Sequence, residues 1–141
     1  GGKYIMTLDA DGQHPIEEIE LIFSKIKSQK LDMVITVRDK LPRLSESMVA
    51  AISKFIWGIG DITCGMKCYK NTLVSTAGIP KKFNSTGTFL TFFALFKGYK
   101  FDIVKIKASQ RIGKSRYGAG VKTELKLLIT LIRGFLAAKR Q

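Results

Sequence analysis

The feature that most limits the fold is a strand–helix–strand run near the start of the chain. Tyr4-Ile5-Met6-Thr7-Leu8 is a short apolar stretch that reads as a buried strand and delivers Asp9 at its carboxyl end. His14-Pro15 then opens a helix, because Pro is tolerated in a first turn and Glu17, Glu18 and Glu20 suit the positive N-terminus. Ile16, Ile19, Ile22, Phe23 and Ile26 recur at helical spacing and supply a buried face. Met33-Val34-Ile35-Thr36-Val37 follows as a second strand, ending at Arg38. Strand, helix and strand in this order form a βαβ unit, which predicts an α/β fold with a mostly parallel sheet flanked by helices. Ligands of such sheets bind outside the carboxyl ends of the strands, where Asp9, Asp11 and Arg38 all fall.

Further along, Ser45 to Trp57 reads as a helix stopped at Gly58 and Gly60. The turn-rich Asp61-Ile62-Thr63-Cys64-Gly65 leads to a short strand or helix start around residues 66–69. Thr88 to Phe96 is an aromatic-rich helix ending at Gly98, and Tyr99 to Lys107 alternates loosely, as a strand with one wet face would. A Gly/Ser/Arg loop over residues 111–120 precedes a long helix from Val121 to about Ala138.

Charge divides the chain in two. Residues 1–66 carry 8 basic and 9 acidic side chains, whereas residues 67–141 carry 16 basic and 2 acidic. Such a one-sided positive field attracts phosphates, whether of nucleotides, lipid headgroups or nucleic acid. Against nucleic acid, there is no helix-turn-helix, RNP or zinc-finger signature, and the aromatics sit in apolar runs instead of alternating with Lys and Arg. Cys64, Cys68 and the single His14 are too few for a structural zinc site, and the two thiols read as inert structural cysteines. Phe89, Phe92, Phe93 and Phe96 read as core or as a contact between subunits, which leaves room for a homo-oligomer. In the last helix, Leu125, Leu128, Ile129, Ile132, Phe135 and Leu136 form an apolar stripe edged by Lys122, Lys126, Arg133, Lys139 and Arg140. That pattern suits an anionic membrane surface, and packing on the sheet or on a second subunit explains it equally well.

The sharpest chemical motif is Leu8-Asp9-Ala10-Asp11-Gly12-Gln13-His14-Pro15. Two carboxylates one residue apart, just past a strand end, can share one hard divalent cation, and Gln13 can add a neutral oxygen. Oxygen donors of this kind suit Mg2+ or Mn2+ completed by substrate phosphates and water. His14 reads as a packing or capping residue at the helix start.

This motif resembles the D-x-D region of family 2 glycosyltransferases of the Rossmann-like GT-A fold. More narrowly, it resembles their dolichyl- or undecaprenyl-phosphate sugar transferase branch. Three further segments resemble that branch in the same order. They are Val34-Ile35-Thr36-Val37-Arg38, Asp61-Ile62-Thr63-Cys64-Gly65-Met66-Lys67 and Arg111-Ile112-Gly113-Lys114-Ser115-Arg116-Tyr117-Gly118. The resemblance implies transfer of a sugar from a nucleotide-sugar donor to a polyprenyl phosphate, metal-assisted and inverting, at the cytoplasmic face of the membrane. It implies that Asp9, Asp11 and Gln13 hold Mg2+ or Mn2+ against the donor diphosphate. Asp61, Arg111 and Ser115 would be catalytic, and Arg38, Lys114 and Arg116 would bind substrate phosphate. It also implies that residues 1–120 are the C-terminal portion of a GT-A catalytic domain, without the nucleotide-binding half that precedes Asp9 in the family. Residues 121–141 would be an amphipathic basic helix apposed to the membrane. The competing readings are a glycan acceptor in the same fold, and a non-catalytic basic module that binds anionic lipid or nucleic acid.

Overall fold

The computed structural model describes residues 2–41, 43–79, 85–109 and 120–141. The elements run β1 (Tyr4–Thr7), α1 (Glu18–Ser28), β2 (Met33–Arg38), α2 (Leu44–Trp57), β3 (Lys67–Lys70), α3 (Asn71–Ala77), α4 (Thr86–Phe96), β4 (Phe101–Ile106) and α5 (Val121–Lys139). Their strands form one four-stranded sheet in the order β1-β3-β2-β4.

The fold is mixed α/β, and the expectation of a mostly parallel sheet is corrected by the pairing. β3 runs antiparallel to both of its neighbours, and only β2 and β4 pair in parallel. β1 and β2 do point the same way, as a βαβ unit requires, but β3 is wedged between them. The reason lies in the connection. α2 does not carry the chain back across the sheet: the segment after it stays at the carboxyl ends of β1 and β2, where Asp61 bonds to Arg38. β3 therefore starts at that edge, with Lys67 opposite both Thr7 and Ile35, and can only run back.

Residues on β2 alternate between two cores, as the pleat demands. Val34 points into a cluster with Ile22 and Ile26 of α1 and with Met66, Cys68, Val104 and Ile106. Met33 and Ile35 point the other way, to Tyr69, Leu73 and the Phe89, Phe92 and Phe93 rings of α4. α1 thus covers one face and α3, α4 and α5 the other. Trp57, Phe92, Phe96 and Phe135 tie α2, α4 and α5 together, with centroid separations of 5.0 Å for Phe96–Phe135 and 5.8 Å for Trp57–Phe96. The aromatic run of α4 is core. α2 ends where Gly58 takes a left-handed φ of 74° and its N–H bonds back to the Lys54 carbonyl.

Two details of the helices depart from the sequence pattern. Regular α1 begins at Glu18, after tight turns in which Glu18 N–H bonds to the Pro15 carbonyl and Ile19 N–H to that of Ile16. Ile16 is exposed, and Phe23 lies at the surface edge-on to Tyr4, leaving Ile22 and Ile26 as the buried pair. The seven-residue α3 is too short to show a helical period.

Candidate functional site

At the carboxyl edge of the sheet, the turn after α2 is organised around Asp61. Its Oδ1 accepts from the N–H of Thr63 (3.0 Å), the Thr63 hydroxyl (2.7 Å) and the N–H of Cys64 (3.1 Å), an Asx-type turn. Arg38, at the end of β2, donates from Nε to Oδ2 at 2.7 Å and from Nη2 to Oδ1 at 3.2 Å. The same Nη2 reaches Glu46 of α2 and the Thr63 oxygen, each at 3.0 Å. Asp61 is 1% exposed. Burial would raise its carboxyl pKa, but the Arg38 fork outweighs that and holds it below the usual range. Glu46 is pushed up instead, because burial there exceeds the attraction of Arg38. Arg38 is held fully protonated: burial opposes its charge, and Asp61 and Glu46 more than compensate.

The turn is fastened from below and from both sides. Buried Lys67 donates from Nζ to the Ile62 carbonyl at 2.7 Å, and burial pulls its pKa down to about 8. Thr36 of β2 donates to the Met66 carbonyl at 2.6 Å and lies 3.0 Å from Cys64 Sγ. Thr7 of β1 donates to the Gly65 carbonyl at 2.8 Å.

The second loop of this edge follows β1 and carries Asp9, Asp11 and Gln13. Asp11 Oδ1 accepts the Gln13 N–H at 3.1 Å around Gly12, whose φ of 74° is left-handed. The Gln13 carbonyl accepts from Ser109 N–H at 3.0 Å, which joins this loop to the segment after β4. His14 is tucked beneath, with Nε2 3.4 Å from Asp9 Oδ2 and its buried Nδ1 without a hydrogen-bonded oxygen or nitrogen among the described residues. Burial alone would lower the imidazole pKa; Asp9 and the Cys64 sulfur outweigh it and raise the value to about 9. In return His14 and Thr36 draw the Cys64 thiol down against the opposing effect of burial. Cys64 and Cys68 are both buried and unbridged.

The structure therefore brings five of the expected site residues to one edge, in two adjoining loops: Asp9, Asp11 and Gln13 after β1, and Arg38 with Asp61 between β2 and β3. It also pairs Arg38 with Asp61, so Nε and Nη2 of the expected phosphate ligand are spent on carboxylates and Thr63. Arg111, Lys114, Ser115 and Arg116 lie outside the described residues. Among the described residues no three His, Cys, Asp or Glu side chains form a metal cage. Two carboxylates and an amide oxygen are donor types that an ion completed by phosphates and water would take. The resemblance of Asp61–Lys67 included Lys67 as a motif position but gave neither it nor Thr63 a role, and Thr7 and Glu46 were not singled out. Glu46 carried a signal of its own, a lone acid in the first turn of a predicted helix.

A second feature is an inverted helix. α2 buries Ser45, Ala50 and Ser53 and exposes Leu44, Met48, Ile52, Phe55 and Ile56, with Phe55 93% exposed. α5, which adjoins it, buries Leu131, Gly134 and Ala138 on α4 but exposes Val121, Leu125, Ile129, Ile132 and Leu136. The last helix thus packs on the core with one stripe and leaves another uncovered. Lys54, Lys122, Lys126, Arg133, Lys139 and Arg140 are exposed on or beside these helices. Their acids, Glu46 and Glu124, are engaged with Arg38 and with the Ser45 N–H. No described helix is long and apolar enough to cross a membrane.

Comparison with known proteins adds no assignment: no family model matches the chain, and no curated protein matches it.

Proposed function

We propose that this chain is the metal-, sugar- and acceptor-binding part of a glycosyltransferase. It would move a sugar from a nucleotide-sugar donor to a polyprenyl phosphate at an anionic membrane surface. The observation that supports the reading is the meeting, at one sheet edge, of the Asp9–Asp11–Gln13 loop with the turn built on Asp61 and Arg38, where Gly65 faces Asp9. Asp9, Asp11 and Gln13 would hold Mg2+ or Mn2+, which supplies neutralisation of the departing diphosphate. An acceptor phosphate is ionised at neutral pH, so attack on the anomeric carbon needs positioning and charge neutralisation more than a general base. A single displacement with inversion is what the resemblance to family 2 glycosyltransferases implies for this step.

The lipid acceptor is favoured over a glycan by the two uncovered apolar helix faces edged with cations, the pattern of a segment lying in a headgroup region. The test uses membranes from cells expressing the protein from its complete reading frame. They are incubated with labelled nucleotide sugars, polyprenyl phosphate and Mn2+, and label is counted in the organic phase. Metal-dependent label that Asp9→Asn abolishes is the expected result. Label confined to water-soluble glycan would select the glycan acceptor. Absence of label from every donor, with binding to anionic vesicles intact, would overturn the transferase and leave a basic lipid-binding module.

A further inference from the structure

Gly65 sits at the end of the Asp61 turn, and its backbone faces the Asp9 carboxylate. A Cβ built on Gly65 would find the Asp9 carboxyl group as its three nearest neighbours: Oδ2 in outright collision, Cγ at 2.5 Å and Oδ1 at 2.7 Å. Real Cβ atoms do not approach other atoms that closely, so a side chain at 65 and Asp9 in its present place exclude each other. Glycine is required here by the approach of the carboxylate. The backbone angle at 65 makes no such demand, since φ is not in the left-handed region. The turn itself cannot withdraw: Thr7 holds the Gly65 carbonyl, Asp61 accepts the Cys64 N–H, and Lys67 holds the Ile62 carbonyl. Asp9, by contrast, is about half exposed and has solvent to move into.

We propose that Gly65 is a positioning residue for Asp9, a seat that fixes the carboxylate at the carboxyl end of β1. Its consequence for metal binding rests on the reading of Asp9 as a ligand. Because the nearest obstacle is the end of a movable side chain, substitution displaces Asp9 before it disturbs the fold. Gly65→Ala is then a functional lesion with little structural cost, which separates a seat from an ordinary packing glycine.

Two readouts test this on the wild type, Gly65→Ala and Asp9→Asn. The first is Mn2+ affinity by calorimetry. The second is the pair of imidazole ring resonances of His14, the only histidine in the chain, which reports Asp9 directly because the two side chains touch. The expected result is a Gly65→Ala protein that melts within a few degrees of wild type. It loses Mn2+ affinity by about 10- to 100-fold, the usual effect of disturbing a ligand's support, and its His14 resonances move toward those of Asp9→Asn. Wild-type His14 resonances in Gly65→Ala would overturn the seat whether or not Mn2+ binds. A wild type that does not bind Mn2+ would remove the metal reading, while the His14 resonances would still decide the seat. If Gly65→Ala fails to fold, the double variant Asp9→Ala/Gly65→Ala decides: with the carboxylate gone it should fold as Asp9→Ala does, and failure of both would overturn the proposal.

Discussion

Asp61 and Asp9 stand at the same edge of one sheet, Asp9 just past the end of β1 and Asp61 in the turn that follows α2, and they differ in almost everything else. Asp61 is 1% exposed, accepts from three backbone N–H groups and a hydroxyl, and is clasped by the Arg38 side chain. The Asp9 side chain is 54% exposed, with a longer contact to His14. A buried carboxylate must be satisfied within the protein, because water is not there to do it. A half-exposed one can exchange water for a ligand. The same residue type is thus buried and clasped in one loop and half exposed in the next, and burial makes the difference.

The strongest way to break this contrast is to remove each charge in turn. Asp61→Asn takes the carboxylate from Arg38 Nε, while Glu46 still pairs with Nη2, and is expected to cost about 1–3 kcal/mol, the range for leaving buried donors poorly satisfied. Asp9→Asn should cost less, about 1 kcal/mol at neutral pH, because it removes only the half-exposed contact to protonated His14. Urea denaturation of both variants measures this, and equal losses would erase the distinction.

Lys67 sharpens the buried side. Its folded pKa, about 8, lies below the ordinary 10.5. Below pH 8 folded and unfolded chains both hold the proton, and folding bears the full cost of burying an ammonium; above 10.5 neither does. Stability should therefore rise between these values through this group. Subtracting the pH profile of Lys67→Met from that of the wild type isolates the rise, and parallel profiles would remove Lys67 as its source.

The last effect concerns the Asp9 loop. His14, raised to about 9 from 6.5, contributes stability that is complete below pH 6.5 and lost as pH climbs through 9. NMR titration of its ring should give that midpoint in the wild type and a lower one in Asp9→Asn. An unchanged midpoint would show that Asp9 does not hold the imidazole charge.

Much of this was legible in the chain. The strands at β1 and β2, the amphipathic α1, the stop at Gly58 and the aromatic α4 each follow from periodicity and end signals confined to a few neighbouring residues. The motif Asp9-Ala10-Asp11 was visible as a site candidate for the same reason. Arg38 was legible as a strand-end cation, but its partners were not: Glu46 lies on the next helix and Asp61 beyond it, brought together by the turn's position. Nor could α2 announce its inversion, because its pattern shows which face is apolar and not which face is covered.

By itself the sequence determined most of the helices and the strands β1, β2 and β4, where several of them end, and which loop carries the Asp9–Asp11 pair; residues 66–69 and α3 it left undecided. These are short-range matters, decided by backbone propensity and the spacing of apolar side chains. The tertiary structure decided that β3 enters between β1 and β2, that Arg38 is spent on Asp61, and that Gly65 meets Asp9. Each of those depends on segments tens of residues apart competing for the same edge of the sheet. The winner is set by the hydrogen bonds and burial of the whole assembly, which no local pattern encodes.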